Sequence, residues 1–435
     1  MLTAFARAFK TPDLRKKLLF TLGIMVVFRM GAHIPVPGVN FKAVQACVNA
    51  SSKSGNGLLG LVNLFSGGAL LQITIFALGI MPYITSSIIL QLLTVVIPRL
   101  DALKKEGQAG QTKITQYTRY LTIALAILQA TGIVATASTG ALFGSVNCDT
   151  TQIVPDQSVF RIATMVITMS AGTVVIMWLG ELITDRGIGN GMSILIFTSV
   201  AAGFPSSLLN IRAQKGWATF VFVLIMGLAM VALVVFVEQA QRRIPVQYAK
   251  RMIGRRAYGG TSTYIPLKVN QAGVIPVIFA SSLLYIPGLI VQLSGSTAGW
   301  AVWVNTNLVK SDKPLYAALY FLLIVFFAFF YVAISFNPEE VADNMKKYGG
   351  FIPGIRAGRP TAEYLNYVLT RITWPGSLYL GLIAMVPLVA LGLFGASQNF
   401  PFGGTSILII VGVGLETVKQ IESQLQQRNY EGFLR

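Results

Sequence analysis

Ten stretches of this chain, each close to the length of a bilayer-spanning helix, alternate with polar segments. They lie near 18–34, 72–97, 118–139, 159–180, 190–206, 217–237, 272–292, 315–336, 372–395 and 404–424. A helix needs ~20 apolar residues to cross the hydrocarbon core, and in lipid a helix satisfies its own backbone. The pattern therefore predicts an all-α integral membrane protein with ten transmembrane helices. Hydrophobic residues make up 54% of the 435, and charged residues only 11%, where soluble domains carry ~25%. The mean hydropathy of +0.65 agrees. The charged stretch Met1 to Lys17 is too long for the n-region of a secretory leader, and no small-residue cleavage site follows the first apolar run. That run reads as a first span.

An even number of spans puts both termini on one side of the membrane. Under this topology 26 of the 34 lysines and arginines fall on the side that holds both tails and the loops near 98–119, 181–189, 238–270 and 337–371. The positive-inside rule makes that side cytoplasmic. Topology thus accounts for most of the formal net charge of +18 without nucleic acid. Ten spans divide as five plus five, residues 1–206 and 207–435, with the divide in the exterior segment from Gly203 to Gly216. An odd number of spans per half inverts the second half relative to the first, and sites in such folds sit at the midplane where the halves face each other.

Between the first two spans lies Gly57-Leu58-Leu59-Gly60-Leu61-Val62-Asn63-Leu64-Phe65-Ser66-Gly67-Gly68. It is apolar, too short to cross, and broken by glycine at both ends. Irregular backbone at membrane depth survives only where protein or a water-filled cavity covers it. This points to a re-entrant half-helix seated in a cavity, an object that plugs a pore.

The chemistry of enzymes and ion-driven transporters is missing. The single histidine, His33, sits at the outer end of the first span and reads as an interfacial residue. There is no GxxxxGK loop, and Gly187-Ile188-Gly189-Asn190-Gly191 lacks the spacing and the preceding strand of a dinucleotide fingerprint. No Asp, Glu or Lys lies in the middle of a span, where coupled transport places its ionisable groups. No cofactor, metal or catalytic residue is expected. Apolar residues recur instead at mid-depth: Ile80 with Ile84, Met192 with Ile196, Ile275 with Ile278, and Ile409. Spacings of three and four put each pair on one helix face. A ring of such side chains would form a hydrophobic constriction that excludes water and ions, although isoleucine is also ordinary packing material. Cys47 and Cys148 both fall in exterior loops. An oxidising exterior permits a disulfide, but sequence does not supply the distance.

Two cytoplasmic loops are longer than topology demands. One, about 238–270, carries Arg242, Arg243, Lys250, Arg251, Arg255 and Arg256 between limbs of alternating apolar and polar residues, the pattern of a protruding hairpin with a basic tip. The other, about 337–371, contains Arg356. Such surfaces attract anionic lipid headgroups, acidic proteins or RNA phosphates.

These segments also carry a resemblance. Ile34-Pro35-Val36-Pro37-Gly38, Phe65-Ser66-Gly67-Gly68-Ala69-Leu70, Gln116-Tyr117-Thr118-Arg119-Tyr120, Trp178-Leu179-Gly180-Glu181, Arg186-Gly187-Ile188-Gly189-Asn190-Gly191, Gly273-Val274-Ile275-Pro276, Phe336-Asn337-Pro338 and Phe402-Gly403-Gly404-Thr405-Ser406 follow one another as in the SecY family of protein-conducting channels. The chain resembles that family over nearly its whole length. The resemblance implies a pore ring of Ile80, Ile84, Met192, Ile196, Ile275, Ile278 and Ile409, with Met192 departing from the usual isoleucine. It implies a plug of Leu58, Leu59, Leu61, Val62, Asn63, Leu64, Phe65, Ser66, Gly67 and Gly68. It implies a lateral gate between spans two and three on one side and seven and eight on the other, with Thr85, Ser86, Ser87 and Gln129 as its polar patch. The basic loops, Arg356 included, would receive the ribosome or the SecA motor ATPase, and SecE and SecG would be companion subunits. Signal peptides and preproteins would be the cargo, and the bacterial cytoplasmic membrane the location. The rival readings are a secondary transporter for a small apolar or cationic solute, and a scaffold that conducts nothing.

Overall fold

The computed structural model describes residue 9 and residues 11–51, 66, 68–70, 72–138, 153–155, 158–248, 251–253, 256–258, 262–294, 298–309, 313–394 and 404–431. In the first half these form α1 (Pro12–Gly31), α2 (Phe41–Ser51), α3 (Met81–Val96), α4 (Pro98–Lys105), α5 (Gln108–Ser138) and α6 (Val159–Arg186). α7 (Gly191–Gln239) leads into the second half, followed by strands β1 (Gln241–Tyr248), β2 (Arg251–Ile253), β3 (Arg256–Tyr258) and β4 (Ser262–Lys268). Then come α8 (Ile275–Ser294), α9 (Gly299–Val304), α10 (Pro314–Ser335), α11 (Pro338–Lys347), β5 (Gly350–Phe351), α12 (Arg359–Phe394) and α13 (Gly404–Glu431).

The chain punctuates these helices locally. α1, α3, α4, α10 and α11 each have proline in the first turn, where its missing N–H costs nothing. Asn190 caps α7, its side chain accepting from the backbone N–H of Met192 and Ser193. Asn337 caps α11 in the same way. Each such cap stabilises its helix by about 1 kcal/mol. α11 also carries Glu339 and Glu340 in its first turn and Lys346 and Lys347 in its last, opposite in sign to the helix dipole at each end.

By length and composition, α5, α6, the arm of α7 after Gly216, and α10 continued through α11 are apolar enough to cross a membrane. α3 and α4 would make one more as a pair bent by 101°. The arm of α7 up to Pro205 and the first turns of α8 are apolar but shorter.

Several expected boundaries need correction. The second span was expected from residue 72, but residues 72–80 are turns and helix begins only at Met81. Residues 34–36 take up this backbone: Ile75 N–H donates to the Ile34 carbonyl at 3.0 Å and Val36 N–H to the Ile73 carbonyl at 3.1 Å. The segment 203–215, expected as an exterior loop, is helical, and the break comes at Gly216 with φ 83°. That left-handed conformation suits glycine, which has no Cβ to clash. Helix also extends into the loops expected to be cytoplasmic: α5 starts at Gln108, α11 occupies 338–347, and α12 starts at Arg359. The chain is therefore not wholly α. β1 pairs antiparallel with β4 in the register Ile244↔Ile265, and with β5 in the register Tyr248↔Gly350. β2 and β3 pair at the tip. One three-stranded sheet, ordered β4-β1-β5, thus joins the two long loops. Ile244, Val246 and Leu267 are buried in the second-half core together with Met345 and Ile352, as the period of two in a strand dictates.

Close backbone approach sets the helix positions in the first half. A Cβ on Gly172 of α6 would lie 2.1 Å from the Ile75 carbonyl oxygen, and one on Gly191 would lie 1.8 Å from the Gly180 carbonyl oxygen. Helices in lipid have no hydrophobic drive toward one another, so small residues that let backbones touch do this work. In the second half, α8 meets α10 through Phe279 and Phe327, edge to face with centroids 5.6 Å apart. Gly172→Ala is expected to destabilise the protein by about 1–3 kcal/mol, since a backbone atom cannot swing aside as a side chain would. Thermal unfolding in detergent, compared with the exposed-side control Gly23→Ala, which meets nothing within 4 Å, checks this.

Candidate functional site: an apolar waist and a polar seam

Ile80, Ile196, Ile278 and Ile409 are each no more than 7% exposed and belong to one apolar cluster. Ile84 and Met192 pack against it. Their elements are the start of α3, the first arm of α7, α8 and α13, with Ile24 and Phe28 of α1 and Ile176, Leu179 and Ile183 of α6 behind them. Both halves therefore contribute. Ile275, expected with them, packs instead against the second-half core. It opens α8 one turn before Ile278. Met192 is seated on α6: a Cβ at Gly180 would come within 2.5 Å of its Sδ. A flexible thioether suits such a saddle. Val274, Ile410 and Val413 also pack here; sequence reasoning missed them because it considered only isoleucine and methionine pairs, although Val274 and Val413 stand four residues from Ile278 and Ile409 respectively, and Ile410 adjoins Ile409.

The expected polar patch separates into three environments. Thr85 and Gln129 line a cavity of about 30 Å³ with Leu78, Met81, Ile133, Ser282 and Ile286, so that α3, α5 and α8 meet there. The Thr85 hydroxyl donates to the Met81 carbonyl of its own helix at 2.9 Å. Ser282 was not foreseen; it is 7% exposed and its Oγ has no hydrogen-bond partner among the described residues. Ser86 turns away and donates to the Thr118 carbonyl of α5 at 2.8 Å. Ser87 lines a separate cavity of about 290 Å³ with Tyr83, Gln91, Lys104, Gln111 and Tyr331.

A further contact escaped the sequence. Arg119 Nε and Nη2 donate to the two Glu181 carboxylate oxygens at 2.8 Å each, and Nη1 donates to Gln116 Oε1 at 3.1 Å. This two-pronged pair ties α5 to α6. Both residues stand in motifs that sequence singled out, but nothing in a linear chain pairs positions 62 apart.

In the two long loops Arg242, Arg243 and Arg356 are exposed. The Arg243 guanidinium lies 4.9 Å over the Tyr264 ring centroid, and the Arg356 carbonyl accepts from the Thr361 hydroxyl at 2.8 Å. Arg251 and Arg256 stand in the β2–β3 tip; Lys250 and Arg255 lie outside the described residues. Of the expected plug, Ser66 and Gly68 are described. Ser66 is buried and its Oγ accepts from Leu70 N–H at 3.1 Å. Leu58, Leu59, Leu61, Val62, Asn63, Leu64, Phe65 and Gly67 lie outside the described residues. Cys47 is disulfide-bonded, and Cys148, the only other cysteine in the sequence, lies outside them.

An apolar cluster drawn from segments at both ends of the chain lies near a small polar cavity, in a chain with several helices apolar enough to cross a membrane. The SecY family model matches residues 74–418. Protein translocase subunit SecY of Streptomyces scabiei is 77% identical over the whole of both chains, and that of Mycobacterium tuberculosis is 60% identical, again over the whole of both. The chain belongs to the SecY family; it is a channel subunit of a protein translocase, a membrane protein and not an enzyme. Solved structures share the fold at low identity. One titled as a protein conducting channel has a TM-score of 0.63 at 17% identity, covering 94% of this chain and 91% of its own. Sec61 in a canine ribosome-channel complex has a TM-score of 0.58 at 16% identity, with the same coverage of both chains.

Arg119→Met is expected to cost about 1 kcal/mol of stability, the modest value of a half-exposed ion pair. The Arg119→Met/Glu181→Leu double variant should recover most of it, because no carboxylate is then left without its partner. A double-mutant cycle on thermal unfolding reads the coupling.

Proposed function

We propose that this chain conducts unfolded polypeptides across the bacterial cytoplasmic membrane and releases apolar segments sideways into lipid. In this reading ten helices cross the membrane in two inverted five-helix halves, 1–206 and 207–435, with both termini cytoplasmic. The observation that carries it is the cluster in which Ile80, Ile84, Met192, Ile196, Ile278 and Ile409 come together from both halves. A waist of this kind offers an ion no polar partner, and stripping an ion of water without replacement is prohibitive. Yet its side chains are small and deformable, so a passing chain displaces them without breaking any hydrogen bond. Ile275 would join the ring as α8 shifts. The segment 58–68 would plug the exterior funnel.

The cavity between Thr85, Gln129 and Ser282 supports a lateral gate at the seam of α3 and α5 with α8. A signal peptide is itself a short apolar helix. It would enter that seam because lipid solvates it well. Later segments would then be sorted by the same transfer free energy that defines a spanning helix. Energy would come from a partner, since the chain holds no nucleotide-binding loop. The exposed arginines of the basic sheet support docking of the SecA motor or, through RNA phosphates, the ribosome. SecE and SecG would complete the complex, and anionic lipids would surround the basic face.

Ile84→Ser with Ile196→Ser is expected to raise the ion conductance of the resting channel in planar bilayers by about tenfold or more, as polar groups wet the constriction. An unchanged conductance would remove the seal from these residues. Reversing Arg255, Arg256 and Arg356 to glutamate is expected to weaken partner binding by about tenfold at moderate salt, with the difference shrinking as salt rises. Sedimentation of the partner with proteoliposomes measures it.

A further inference from the structure

The two basic loops and α8, the gate helix of the proposed function, converge on one short turn, residues 269–273. β4 ends at Lys268 and α8 begins at Ile275, so the turn is the only covalent link between the hairpin and that helix. Val269 N–H donates to the Ala240 carbonyl at 3.0 Å, closing the base of the hairpin. Asn270 is 3% exposed, and its Nδ2 donates twice: to Glu238 Oε1 at the end of α7, and to the Gly273 carbonyl at 3.2 Å, just ahead of α8. α12 presses on the same turn, since a Cβ at Gly376 would lie 2.4 Å from the Val269 carbonyl oxygen. α12 follows directly on the second loop, whose β5 is hydrogen-bonded to β1. A displacement of the sheet by a docked partner therefore reaches the turn along the hairpin and, through α12, from the side.

What leaves the turn is α8, which carries Ile278 in the apolar cluster and Ser282 and Ile286 in the cavity shared with Thr85 and Gln129. A buried amide that spans Glu238 and the Gly273 carbonyl makes the turn a stiff lever. Without it, the sheet could move while α8 stayed in place, because Gly273, at φ 63°, is itself a ready swivel.

We propose that Asn270 is a positioning residue that transmits movement of the basic sheet to α8. The proposal rests on the channel reading above. Its test uses the full chain with its companion subunits in proteoliposomes and the motor ATPase as the docking probe. Two quantities are read separately: the motor's affinity for the vesicles, and the preprotein translocation rate with motor saturating. Asn270→Ala is expected to lower the saturated rate about tenfold while affinity stays within about twofold of the unchanged chain. Glu238→Gln keeps an acceptor oxygen and should translocate as the unchanged chain does; Glu238→Ala should fall with Asn270→Ala. Should Asn270→Ala not assemble, Asn270→Gln keeps the amide but displaces it by one methylene, and the same loss of rate is expected. An undiminished saturated rate in the Asn270 variants overturns the proposal. So does a loss confined to motor affinity, which would make Asn270 a support of the docking surface alone. If the unchanged chain binds the motor but translocates nothing, the channel reading fails and the coupling with it; if the unchanged chain translocates and the Asn270 variants match it, the channel reading stands and the coupling alone is lost.

Discussion

Backbone touching backbone at α6 is the constraint on which the remaining architecture depends. In water a helix is held by the apolar face it hides; in lipid that force vanishes, and only fit remains. Gly172 and Gly180 of α6, with Gly191 opposite Gly180, let the chain from Ile75 and the start of α7 approach within contact of α6. Those are the two segments that bring Ile80, Ile84, Met192 and Ile196 to the centre. Side chains larger than hydrogen at these glycines would push the first-half contribution to the waist outward. The Arg119–Glu181 pair fixes the C-terminal end of the same helix, where partial exposure reduces the cost of placing charge there.

The polar groups along the seam are few and unevenly satisfied. Ser86 is spent on a strut between α3 and α5, and Thr85 on its own helix, whereas the Ser282 hydroxyl faces the cavity with no partner among the described residues. An unpaired hydroxyl weakens the contact it sits in. A seam built to stay shut would pair it or replace it with alanine. In the channel reading proposed above, a seam meant to part would keep its adhesion low, and the apolar cluster beside it would provide most of the seal.

Much of this was legible in the chain. Apolar run length marked the helical regions, and three- and four-residue spacing picked out five residues that share one cluster, joined there by Ile409 from the middle of its span. Ile275 packs on the other core cluster: spacing fixes a helix face only within a helix, and Ile275 is the first residue of α8. Boundaries at Met81 and Gly216 were misplaced for a related reason. Hydropathy cannot distinguish an apolar turn, such as 72–80, from an apolar helix, or a polar helix, such as 203–215, from a loop. The Arg119–Glu181 pair and the β1–β5 pairing were invisible because each joins segments far apart in sequence. The serines of span two were individually recognisable, yet their roles diverge, since successive helical residues point about 100° apart.

The pairing of β5 with β1 also bears on the order of biosynthesis. The hairpin strands emerge together, but the strand that completes their sheet is made only after α8 and α10. A nascent copy therefore holds an unfinished edge until most of its second half has been synthesised. The sheet matures late, and in the docking role proposed for it this would keep half-built chains from recruiting machinery they are not yet able to serve.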